Sequence, residues 1–135
     1  MRKTAYLASV VVGLVLIVGG LATWIVVSST LGDQKITVSD DASCAAGDDV
    51  NGPWSAYCEA QIIDVHALEA TGGLTYAELD REDPLRQVAS SASFLRASLF
   101  TSVVAFGVAG MAMMMGVLFM LIGLGIKDVT ERTEG

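Results

Sequence analysis

Two stretches of the chain carry no charged residue, 5–31 and 97–126, and shorter polar rhythms lie between them. Taken as residues 5–27, the first run has 23 residues. As a helix it measures about 35 Å, against a hydrocarbon core of about 30 Å. A transmembrane helix from about Thr4 to Ser28 is expected, with Ser28-Ser29-Thr30 leaving the membrane. From Pro84 onward no proline occurs, and no glycine before Gly107. A single helix over 84–126 would be about 64 Å long, far more than a bilayer needs. Its first turns are therefore expected to project as a stalk, with Leu85, Val88, Ala92, Leu95 and Leu99 in a stripe along it and the span proper over 100–122. Arg96 falls at the outer interface, where its stem can snorkel.

In the segment between, Ile36 and Val38 alternate with polar neighbours over 34–39, which suggests a short strand or an extended arm. Residues 40–52 are rich in Asp, Ala and Gly and read as loop. Pro53 after Asn51-Gly52 opens a helix, since proline suits a first helical turn. Trp54, Tyr57, Cys58, Ile62, Val65 and Leu68 then recur at helical spacing until Gly72-Gly73. This helix is expected to pack on the stalk stripe. Thr75-x-x-Glu78 has capping-box form and predicts a short helix through Arg81. The expected fold is an all-α membrane protein: a hairpin of two transmembrane helices, a small and mostly helical extracytoplasmic domain, and a long second helix. Its parts are 1–28, 29–83, 84–126 and a tail at 127–135.

Charge orients this hairpin. Arg2 and Lys3 precede the first run, and basic residues there favour a cytoplasmic N-terminus. A secretory leader also opens this way, but its apolar region is roughly 7–15 residues long and ends in an A-x-A site. This run is longer and no such site follows, so an uncleaved anchor is expected. Two spans return the C-terminus to the cytoplasm, where Lys127 and Arg132 lie among Asp128, Glu131 and Glu134. Of the 15 acids, 12 fall within 33–83, opposed there by Lys35 and Arg81 alone. The net charge of −7 is therefore a property of the outer segment, and it argues against nucleic acid as a partner. A hydrophobic fraction of 53% exceeds that of an ordinary soluble domain. Both cysteines, Cys44 and Cys58, lie in the outer segment, where an oxidising compartment would favour a disulfide.

The second run carries a seam of small residues. Ser91, Ser98, Ser102, Ala105, Ala109, Ala112, Gly116 and Gly123 follow steps of three and four, interrupted by Leu95 and Phe119. The first run offers a matching face of Ser9, Gly13, Gly20 and Thr23, with Leu16 between them. Small residues let helices approach closely in lipid, where no hydrophobic effect drives them together. The main use expected of this seam is packing of the two spans on each other; the alternative is contact with another subunit. No ionisable side chain lies mid-span, so a relay of charged groups has no candidates.

Few residues of the chain suit a site of chemistry. His66, the single histidine, has Glu69 one turn on and reads as a surface or interface residue. Met111, Met113, Met114, Met115 and Met120 read as flexible apolar filler before a copper site. Asp40-Asp41 and Asp48-Asp49-x-Asn51 lack EF-hand spacing. No Gly-Lys-Ser/Thr follows Gly72-Gly73, and no nucleophile stands at a family-like spacing from a base. No catalytic residue, metal or cofactor is expected.

Two segments carry a resemblance. They are His66-Ala-Leu-Glu-Ala-Thr-Gly-Gly-x-Thr-Tyr-Ala-Glu-Leu-Asp-Arg-Glu-Asp-Pro84 and Ser93-Phe-Leu-Arg-Ala-Ser-Leu-Phe-Thr-Ser-Val-Val-Ala-Phe-Gly-Val-Ala109. The chain resembles small two-span membrane proteins of high-GC Gram-positive bacteria, a group whose members often carry the name aromatic ring-opening dioxygenase. The resemblance implies membrane residence and carries over no catalytic residue. Extradiol sites hold Fe(II) with two histidines and a carboxylate, and one subunit here supplies only His66. The expected function is a non-enzymatic membrane interaction protein. It would be a self-assembling scaffold or a small accessory subunit of a larger envelope complex, with lipids and other membrane subunits or further copies as partners. The alternative is a homo-oligomeric channel, with Ser98, Thr101 and Ser102 as its only polar lining near the outer half.

Overall fold

The computed structural model describes residues 2–134 and forms three helices, α1 (Arg2–Asp33), α2 (Pro53–Ala70) and α3 (Leu85–Glu134). Among the described residues no strand forms. Two of these helices, over Lys3–Asp33 and Leu85–Arg132, are long and apolar enough to cross a membrane. α1 runs past Ser28, and Ser28, Ser29 and Thr30 stay helical. Nothing in 28–31 breaks a helix. The reversal comes at Gly32 and Lys35, where Lys35 takes φ 52° and donates its N–H to Gly32 O at 3.0 Å. α3 likewise continues through the tail. Lys127 faces Glu131 at 3.7 Å and Arg132 faces Asp128 at 3.1 Å, both pairs one turn apart.

The chain divides into two compact units, with boundaries inside α1 and α3. One unit pairs α1 up to Val26 with α3 from Phe106 onward. The other is Val27–Ala105 and contains the acidic segment, called the cap below.

The cap is built on Val38, Val50, Ala56, Cys58, Ala60, Ile62, Leu79, Ala89 and Leu99, all buried. The strand or arm expected at 34–39 is an extended arm with a single antiparallel bridge, Thr37 to Asp49. Val38 N–H donates to Asp48 O and Val50 N–H to Ile36 O, each at 2.9 Å. Ala45 and Gly47, at φ 51° and 77°, turn the chain back too soon for a longer ladder. α2 begins as expected at Pro53, and the Ser55 hydroxyl accepts from the N–H groups of Asn51 and Gly52 at 3.3 Å. It ends at the Gly72-Gly73 pair, whose φ values of 66° and 88° lie in the left-handed region that glycine enters freely.

Two expectations for the cap are corrected. Residues 75–81 do not form a helix. The capping interaction is present, with Glu78 carboxylate accepting from Thr75 N–H at 2.8 Å and Thr75 Oγ1 at 2.7 Å, but one turn follows and no more. A lone turn fixes several dihedrals for one bond, and the acids Glu78, Asp80, Glu82 and Asp83 repel along it. The α3 stripe is also rotated. Leu99 is buried, but Leu85, Val88 and Leu95 stand exposed while Ala89 is the buried residue. The buried residues of α2 are Ser55, Ala56, Cys58, Glu59, Ala60 and Ile62. The bond from Arg96 Nη1 to Asp64 Oδ1, 2.8 Å, holds α3 at this rotation.

Candidate functional site

The membrane-length helices meet at their glycines. A Cβ placed on Gly116 would lie 2.6 Å from Gly13 O and 2.7 Å from Ile17 Cγ1. One placed on Gly13 would lie 2.6 Å from Gly116 O. Gly20 sits against Ala109 O at 2.7 Å, and Gly123 against Val10 Cγ2 at 2.7 Å and Tyr6 O at 3.1 Å, measured the same way. The backbones are therefore in direct contact, the geometry for which small residues are used in helix pairs. Ser9 Oγ donates across the pair to Phe119 O at 2.7 Å, and Trp24 meets Phe106 edge-on at 4.7 Å. Met113 and Met120 lie over Gly20 and Gly13 as filler.

This contact brings together Ser9, Gly13, Gly20, Ala109, Gly116 and Gly123. Ala105 and Ala112 are half-buried. Thr23, read as part of the first-run face, is exposed instead and bonds its own helix at Gly19 O, 2.9 Å. Higher on α3, Ser91 and Ser98 are exposed and Ser102 is half-buried. The hydroxyls considered as a channel lining close on their own helix, Thr101 on Ala97 O at 2.8 Å and Ser102 on Ser98 O at 3.1 Å. Large apolar side chains point outward from the helix pair, with Val15 at 65% and Met114 at 69% exposure. Such a surface, small inside and large outside, suits a lipid environment.

In the cap, three links fasten the loop before α2 to one side of that helix. Cys44 and Cys58 form the expected disulfide, with Cα atoms 5.6 Å apart. The buried Glu59 carboxylate accepts from Ser39 N–H at 3.0 Å. His66 Nε2 lies 2.7 Å from Asp41 Oδ2. The hydrogen bond with Asp41 raises the His66 pKa above the ordinary imidazole range, with Glu69 and Glu59 adding to the rise, and the same bond lowers that of Asp41. In the sequence the acid near His66 is Glu69, one turn on, and nothing local points to Asp41, 25 residues away. Glu59 and Asp64 were missed as well. Their partners come from distant segments, and no local spacing signals such pairs.

A line of rings runs along the same unit. Trp54 stacks on Tyr57 at 6.1 Å, Tyr57 meets Phe100 edge-on at 6.2 Å, and the Arg96 guanidinium lies 5.5 Å from the Phe100 ring centre. Among the described residues no group of three or more His, Cys, Asp or Glu is placed to hold a metal ion.

These features define an all-α protein with two helices of membrane-crossing length and a disulfide-linked segment between them. Compared with known proteins, the chain matches no family, no curated protein and no solved structure.

Proposed function

We propose that the chain is a two-span integral membrane protein, with both ends in the cytoplasm and residues 29–83 outside. It acts as a non-enzymatic interaction protein, a scaffold or small accessory subunit that joins further copies or other membrane subunits. The observation that carries this reading is the uncovered stripe on α3. Leu85, Val88 and Leu95 fall at heptad spacing and are exposed, beside a more exposed Phe94. An uncovered apolar stripe of this kind is a mark of partner contact, and its spacing is that of helices packing side by side. The glycine seam is already filled by the chain's own helices. The partner contact is therefore assigned to the cap and its stripe.

The test is extraction in gentle detergent, then mass measurement and identification of co-purifying chains. The native protein should run as an assembly, and Val88→Glu with Leu95→Glu should release the monomer while Cys44 and Cys58 stay linked. A wild-type monomer with no companion chain would remove the proposal. Sidedness is checked with intact cells. A membrane-impermeant reductant and thiol label should reach the half-buried Cys44 without lysis, and labelling of Cys44 only after lysis would reverse the orientation.

A further inference from the structure

The cap holds one tryptophan, Trp54, and its large ring is 63% exposed. Three observations fix its level. Ser28, directly after the first apolar run, donates its hydroxyl to Asn51 O at 2.6 Å, three residues before Trp54. Tyr57, stacked on Trp54, meets the ring of Phe100. Phe100 lies four residues past Arg96, the last charged residue before the charge-free run. The first turn of α2 is thus tied to the outer end of both runs by separate contacts.

Length agrees. The 27 helical residues 100–126, which end next to Lys127, measure about 40 Å. A bilayer with its headgroups is about 40–45 Å thick. With Lys127 in the inner headgroup layer, Phe100 reaches the outer one, and Tyr57 and Trp54 lie beside it. Trp and Tyr favour this layer, because an apolar ring and a polar N–H or O–H are both satisfied there. Arg96, bonded to Asp64 and lying over Phe100, supplies the charged rim above.

We infer that Trp54 and Tyr57 form an interfacial anchor that seats the start of α2 in the outer headgroup layer of the bilayer. The rings of Trp54 and Tyr57 then meet lipid headgroups in place of bulk water. This inference rests on the membrane reading above, and the two tryptophans of the chain, Trp24 and Trp54, separate the two claims.

The full chain is reconstituted in phosphatidylcholine vesicles as Trp24→Phe, which leaves Trp54 as sole emitter, and as Trp54→Phe, which leaves Trp24. The lipids carry bromine at shallow or at deep chain carbons, and iodide is added from outside. Trp54 should lose the larger part of its emission to shallow bromine, less to deep bromine, and little to iodide. Strong iodide quenching of Trp54, with none by brominated lipid, would overturn the anchor if Trp24 still responds to bromine. Shielding of Trp54 from both quenchers would overturn it too, and would indicate a protein contact. Failure of Trp24 to respond to any brominated lipid would instead overturn the membrane reading on which the anchor rests.

Discussion

Replacing Gly116 with alanine tests the helix pair at its tightest point. The added carbon would sit 2.6 Å from Gly13 O, 2.7 Å from Ile17 Cγ1 and 3.0 Å from Ile17 N. Ordinary contacts between carbon atoms settle at about 3.5 Å or more. Two of the three neighbours are backbone atoms and cannot turn away, so the helices must separate locally by the better part of an ångström. Overpacking of this kind costs about 1–3 kcal/mol. That lowers the ratio of closed to open hairpin by about 5-fold to about 150-fold. Gly13→Ala makes the reciprocal clash, with its carbon 2.6 Å from Gly116 O, so the double variant should lose less than the sum of the two. Gly107→Ala is the matched control, since its added carbon would meet no atom within 4 Å beyond its chain neighbours and its own helix backbone. The assay is reversible opening in mixed detergent micelles, followed by Trp24 emission in a Trp54→Phe background. Trp24 reports closure because it meets Phe106 edge-on at 4.7 Å. If Gly116→Ala opens at the same denaturing-detergent fraction as Gly107→Ala, the close glycine contact is not what holds these helices.

Three further outcomes are expected. Ser9→Ala removes the bond to Phe119 O and should destabilise the same hairpin by about 0.6 kcal/mol, the usual worth of such bonds within membranes; no loss in the micelle assay would count against that bond. Replacing Cys44 and Cys58 together by serine should cost the cap about 3 kcal/mol in the chain-entropy account, measured by thermal melting followed by circular dichroism. Asp41→Asn should lower the His66 pKa, read directly by NMR because the chain has one histidine. In the native cap the raised His66 value means that this contact contributes fully below the ordinary imidazole range and is lost as pH rises through the raised value. The lowered Asp41 value means that it is also lost as pH falls through that lower point. The contact should therefore be strongest between the ordinary carboxylate and imidazole ranges, and a flat NMR shift of the 40–44 loop across neutral pH would contradict it.

The long elements were legible because their signals are local. Absence of charge marks α1 and α3, Gly52-Pro53 starts α2, and Gly72-Gly73 ends it. The disulfide was legible because the chain holds only two cysteines, both in one segment. The glycine seam was visible too, since small residues repeat on a helical period. Which side of the stalk is buried was not visible. Leu85, Val88 and Leu95 form the more apolar stripe, yet they are exposed while Ala89 is buried and Arg96 bonds Asp64 of α2. Periodicity reports which face avoids water and is silent on the shape of the partner. The links from Glu59 to Ser39 and from His66 to Asp41 are beyond any local pattern, because each depends on where a loop returns.

The position of the disulfide along the chain has one more consequence. Cys44 and Cys58 both precede the turn-rich stretch between α2 and α3, so no covalent bond other than the backbone joins α3 to the rest. That stretch holds an exposed Arg81. A single tryptic nick there would divide the protein into two fragments, each with one apolar helix, and leave the Cys44–Cys58 loop whole in the first. The fragments would then be held only by the glycine seam and by contacts such as Arg96 with Asp64. Their joint migration after cleavage would turn an intramolecular fold into a measurable association between two pieces.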